Sequence, residues 1–82
     1  RDDIMLTDKL KPFENSIRAL YAEVLGEDAA QDDARINADG ISGRLMLVKN
    51  GSYTHEASLL DGNEDWVIDL ATHEIRHVII SF

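Results

Sequence analysis

Large apolar residues recur at helical spacing near the start of the chain, where Phe13, Ile17, Leu20, Val24 and Leu25 fall on one side of a helix. Pro12 suits a first helical position, because the N–H it lacks would have no partner there, and Gly26 follows the last apolar residue. The pattern predicts a helix from Pro12 to Leu25. Glu14 and Arg18 lie four apart on its polar side, in the favourable acid-before-base order. Residues 1–11 read as a lead-in.

The periodicity then stops. From Glu27 to Asp39 small residues replace large apolar ones, and five acids (Glu27, Asp28, Asp32, Asp33 and Asp39) face a single cation, Arg35. The stretch 27–39 is expected to be an acidic surface connector. Within it, Arg35-Ile36-Asn37-Ala38 could form a short strand running into a turn at Asp39-Gly40.

The second half changes to a period of two. Arg44 to Val48 and Tyr53 to Ala57 flank Lys49-Asn50-Gly51-Ser52, and Asn-Gly is a strong hairpin signal because both centres of a type I′ turn need positive φ. Leu45 and Leu47 share one face of the first strand. Tyr53, His55, Ala57 and Leu59 share one face of the return strand. Asp61-Gly62-Asn63 marks a second turn. The segment from Glu64 to Phe82 fits two forms. As strands, Trp66, Ile68 and Leu70 alternate with Asp65, Val67 and Asp69, with a break at Thr72-His73 before Ile75 to Ser81. As a helix, Val67, Ile68, Ala71, Ile75, Val78, Ile79 and Phe82 share one side. Strands are preferred, since an isolated two-stranded ribbon needs further strands to be stable.

The expected fold is a single α+β domain over residues 1–82, with one N-terminal amphipathic helix packed on an antiparallel β-meander. The alternative is α-β-β-β-α with a C-terminal helix over 64–82. The expected core is Phe13, Ile17, Leu20, Val24, Leu45, Leu47, Ala57, Leu59, Trp66, Ile68, Leu70, Val78 and Ile80.

Size and composition narrow the possible functions. Eighty-two residues suffice for one small core and exclude two domains, and no apolar run approaches the roughly 18 residues of a membrane span. A soluble domain with no membrane partner is expected. Sixteen acids against eight Lys and Arg give a net charge of −8. The cations are scattered along the chain, which disfavours direct contact with nucleic acid. The acidic balance suits a basic protein partner, and its sharper form is an inhibitor that imitates the phosphate charge of a nucleic acid. Glu27, Asp28, Asp32, Asp33 and Asp39 are the candidate partner-binding residues of this non-enzymatic interaction module. Exposed strand edges also make a homo-oligomer an expected partner state. The absence of cysteine fits a reducing compartment, and a cytoplasmic location is expected.

Two resemblances supply rival functions. His73-Glu74-Ile75-Arg76-His77 reads H-E-x-x-H and resembles the zinc-binding helix of zincin metallopeptidases. The resemblance implies a zinc hydrolase in which His73 and His77 hold the metal and Glu74 activates its water. Arg76 stands where that family keeps an uncharged residue, and no ligand follows His77, so His55 or Glu56 would have to complete the set. In a strand the two histidines would be about 13 Å apart, too far to share a metal. Ile17-Arg18-Ala19-Leu20-Tyr21-Ala22-Glu23-Val24-Leu25-Gly26 is similar to the first helix of an acyl carrier protein. That resemblance implies a four-helix domain with a phosphopantetheine arm on Ser42. The stretch Gly40-Ile41-Ser42-Gly43 lacks the Asp and Leu of the family's G-x-D-S-L motif, and Asn50-Gly51 would break the helix that should follow. Asp61, Asn63 and Asp65 open like a calcium loop, but Trp66 replaces the required glycine and Thr72 stands at the closing position, so the stretch is read as a turn.

Overall fold

A computed structural model describes residues 4–80 of the chain. Among them, a 3₁₀ turn at Lys11–Phe13 leads into α1 (Glu14–Leu25), followed by α2 (Glu27–Ala30) and α3 (Asp33–Ser42). Four strands follow: β1 (Leu45–Asn50), β2 (Tyr53–Asp61), β3 (Glu64–Asp69) and β4 (Ile75–Ile79). They form one antiparallel sheet in the order β1-β2-β3-β4. The protein is therefore an α+β meander under a helical layer, and the C-terminal helix alternative is replaced by β3 and β4.

The helices begin and end where local chemistry satisfies their backbone. Pro12 sits in the 3₁₀ turn that precedes α1. Gly26 closes α1 at φ 99°, its N–H donating to the carbonyls of Tyr21 and Ala22. Asp32 caps α3 by accepting a 3.1 Å hydrogen bond from the Arg35 N–H. Gly43, at φ 89°, ends α3 in the left-handed conformation that favours glycine.

Most of the stretch 27–39 is thus helical, in α2 and α3, and the expected strand at 35–38 and turn at Asp39-Gly40 are replaced by α3. Its apolar residues are few but well spaced: Ala29, Ala30 and Ile36 are buried, and one large side chain suffices where the neighbours are small. The lead-in is also corrected in its described part. Leu6 and Leu10 are buried in the core, and a Cβ on Gly40 would meet Leu10 at 3.4 Å, so α3 packs closely on this segment.

The sheet presents one face to the helices. Leu45, Ala57, Leu59 and Ile68 are buried there against Ile17, Leu20, Tyr21 and Ile36. The other face is uncovered by any described element. On it Arg76 bridges from β4 over β3 to Glu56 on β2, and Val67 beneath that bridge is buried although it points away from the helices. Phe13, Val24, Leu47, Trp66, Leu70 and Ile80 are only partly buried, and Val78 is exposed, so these seven do not belong to the central core as expected. Leu6, Leu10, Tyr21, Ala29, Ala30, Ile36 and Val67 take their place.

The hairpin β1–β2 pairs Asn50 with Tyr53, so its turn is centred on Gly51-Ser52. Gly51 has φ 66°, the positive value that a type II′ turn requires at its first centre, one residue later than a type I′ turn on Asn50-Gly51. The second hairpin repeats the arrangement, with Asp61 paired to Glu64 across Gly62-Asn63 and Gly62 at φ 64°. His55 is an extra residue in β2: Val48 pairs with Glu56 but Lys49 pairs with Thr54. This bulge breaks the expected common face of Tyr53, His55, Ala57 and Leu59, and Tyr53 is exposed.

Candidate functional site

The five acids proposed from the sequence do not form one surface. Asp39 is buried, accepting a 2.6 Å hydrogen bond from the Tyr21 hydroxyl, with Arg35 and Arg44 at 3.9 and 3.8 Å. Burial, followed by the adjacent Asp39 carboxylate, raises the Tyr21 hydroxyl far above its ordinary pKa. This is a structural anchor between α1 and α3. Asp33 is part-buried and accepts a 2.7 Å bond from Arg18, which also donates to the Ala30 carbonyl and to Glu14. Asp33 holds the Arg18 guanidinium above its usual range, and Arg18 in turn lowers the Glu14 carboxyl. The third structural acid is Asp32, the cap of α3.

Glu27 and Asp28 remain. Both are exposed in the first turn of α2, and neither is ion-paired to a described residue. Glu23, in the last turn of α1, and Asp32, the cap of α3, are exposed as well. Sequence reasoning missed Glu23, whose place on the polar side of an amphipathic helix was the available signal. The exposed carboxylates at 23, 27, 28 and 32 are thus the acidic rim of the segment that joins α1, α2 and α3 along the chain. The described arginines, by contrast, are paired with carboxylates of the same chain: Arg18 with Glu14 and Asp33, Arg35 and Arg44 with Asp39, and Arg76 with Glu56.

The H-E-x-x-H residues lie on a hairpin loop and a strand. Asp69 shapes that loop, its Oδ1 accepting from the N–H groups of Ala71 and Thr72 at 2.8 and 2.9 Å, which lowers the Asp69 carboxyl. His73 follows at φ 65°, and its N–H donates to the Asp69 carbonyl. His77, in β4, stacks on Trp66 with ring centroids 3.9 Å apart and lies 2.6 Å from Glu64. His55 is in the β2 bulge beside Tyr53, with its Nδ1 buried and without a hydrogen-bond partner. The motif thus lacks the helix that would set both histidines over one metal. Among the described residues no group of three or more His, Asp or Glu side chains is placed to hold a metal ion.

Ser42 is the last residue of α3 and donates to the Asp39 carbonyl. The four-helix architecture implied by the carrier resemblance is overturned by the sheet, although α1 itself is present. Asp61 and Asn63 lie in the β2–β3 turn, and Asp65, in β3, accepts from the Ser58 hydroxyl. A cleft of about 270 Å³ between the N-terminal segment, α3 and β1 is lined by Leu10, Ile41, Leu45 and Leu47, with Lys9 its charged group. Among the described residues no helix is long and apolar enough to cross a membrane.

Comparison with protein-family models, with curated proteins and with solved structures finds no match to this chain.

Proposed function

We propose that the protein is a non-enzymatic interaction module that presents the acidic rim of its helical layer to a basic protein. One observation carries this reading: the described arginines are engaged by carboxylates of the same chain, while Glu23, Glu27, Asp28 and Asp32 face solvent with no cation paired to them among the described residues. An unneutralised rim on a chain of net charge −8 concentrates negative potential where a cationic surface can dock. The partner's chemistry follows: a protein face rich in Lys and Arg, such as a nucleic-acid-binding cleft. In that case the rim substitutes for phosphates and the protein acts as an inhibitor. The lack of cysteine suits a reducing compartment, and we assign the protein to the cytoplasm.

The test is affinity capture by the native chain and by the double variant Glu27→Gln/Asp28→Asn, with salt varied. The expected partner has a basic contact face, associates more slowly as salt rises, and is bound more weakly by the double variant. A partner held equally by both, with no salt dependence, overturns the reading.

A further inference from the structure

We propose that Asn50 is a self-modification site, at which the tip of the β1–β2 hairpin turns its own asparagine into aspartate and isoaspartate with water as the only co-reactant. The inference is independent of the acidic rim. Of the four asparagines, Asn50 alone precedes a glycine. The amide carbon Cγ of an asparagine is electrophilic, and the main-chain nitrogen of the next residue can close a five-membered ring on it. A side chain on that next residue crowds the approach, and Gly51 has none.

The hairpin leaves both groups free to react. Asn50 and Gly51 are exposed, the Asn50 carboxamide has no hydrogen-bond partner among the described residues, and the Gly51 N–H lies in the turn, outside the ladder and its bonds. The extended backbone of β1 holds the Gly51 nitrogen away from Cγ, so the ring closes when the tip opens. Opening is local. The bulge at His55 sets the pairs Lys49–Thr54 and Asn50–Tyr53 apart from the rest of the ladder, and residues 49–53 are all exposed. A tip with so little buried in it opens without unfolding the sheet.

The rest of the chain shows what the site requires. Asn37 accepts from the Thr7 N–H and donates to the Met5 carbonyl, so its carboxamide is engaged at both ends. Asn15 is fixed in the first turn of α1, and Asn63 precedes Glu64, whose side chain stands in the way. Asp61-Gly62 repeats the turn with a carboxylate in place of the amide, which at neutral pH resists attack, and Arg44 lies 3.8 Å from it.

In the reaction a bond forms from the Gly51 nitrogen to Cγ of Asn50, the Cγ–Nδ2 bond breaks, and ammonia leaves with the proton that the nitrogen gave up to solvent. Water then opens the cyclic imide. Cleavage at Cγ gives aspartate, and cleavage at the main-chain carbonyl gives isoaspartate, whose backbone runs one carbon longer beside the Asn50–Tyr53 pair. Either product makes the chain one unit more negative than −8.

The test holds the 82-residue chain in mildly alkaline buffer, folded and in urea, and follows ammonia release, isoelectric focusing and peptide mapping. The folded chain is expected to lose one ammonia, to shift by one negative charge, and to carry both products at position 50, faster as the pH rises. Asn50→Gln, whose ring would need six members, should keep its ammonia over the same period with an unchanged circular dichroism spectrum. A folded chain that keeps its amide at position 50, whether or not the chain in urea loses it, overturns the proposal. So does ammonia release that Asn50→Gln leaves undiminished, or products that map to Asn15, Asn37 or Asn63.

Discussion

The Tyr21 hydroxyl donates to Oδ2 of Asp39 across 2.6 Å in the interior, joining the middle of α1 to the last turn of α3. Among the described residues it is the one link by which a buried carboxylate and a buried ring satisfy each other, and the Arg35 and Arg44 guanidinium groups lie 3.9 and 3.8 Å from the same carboxylate. Removing the hydroxyl strands the acid. Tyr21→Phe is expected to lower stability by about 1–3 kcal/mol, read as a shift of the urea midpoint with unchanged slope. An unshifted midpoint would mean that the arginines suffice to hold Asp39.

The same pair sets an alkaline limit. Because the folded Tyr21 holds its proton well above the unfolded pKa of about 10, its contribution is complete below that pH. It is lost as the pH rises further, since only the unfolded chain then releases the proton. Unfolding followed from pH 8 to 11 should show a decline that is shallower in Tyr21→Phe.

At the acid end the sign reverses. Arg76 lowers the Glu56 carboxyl through their hydrogen bond, and the Thr72 and Ala71 amides lower Asp69. Groups depressed in the folded state contribute stability above their unfolded pKa values, near 4, and lose it as the pH falls further. Denaturation between pH 6 and 2.5 is expected to show a flatter acid limb for Glu56→Gln than for the native chain; parallel limbs would remove Glu56 from the account.

Asp32, which caps α3 as well as belonging to the rim, should differ on mutation from the two rim acids that have no described partner. Asp32→Ala loses the cap of α3 and is expected to cost about 1 kcal/mol. The exposed pair Glu27→Gln/Asp28→Asn should stay within about 0.5 kcal/mol of native stability. Thermal melts of both variants decide it, and a large loss in the double variant would make those acids structural as well.

His73 occupies a conformation that costs a non-glycine residue about 1–2 kcal/mol. Less the entropy glycine loses on folding, His73→Gly should gain about 0.5 kcal/mol. Added zinc is expected to leave the native melting temperature where EDTA leaves it. A rise with zinc that His73→Gly abolishes would instead place a metal on this hairpin.

The sequence by itself determined the elements whose signals are local. The apolar stripe from Phe13 to Leu25 between Pro12 and Gly26, the Gly51 and Gly62 turns, and the alternation through Trp66 and Ile68 each follow from the backbone preferences of a few adjacent residues. The meander follows from them, because short turns join antiparallel neighbours. Only the tertiary structure decided what lies between and what each polar group does. Residues 27–42 carry one large buried side chain, Ile36, so their helicity depends on the Asp32 cap and on the surface offered by Leu10 and β1, which no local pattern reports. The five acids of that stretch look equivalent in sequence. They diverge because Arg18 and Tyr21, 15 and 18 residues away, draw Asp33 and Asp39 inward and leave Glu27 and Asp28 in water. The histidine motif went the same way: spacing alone permits a shared metal on a helix, and pairing of β4 with β3 puts His73 in a turn and His77 against Trp66 instead. Charge and spacing are properties of the chain, but burial and partnership arise only when distant segments meet.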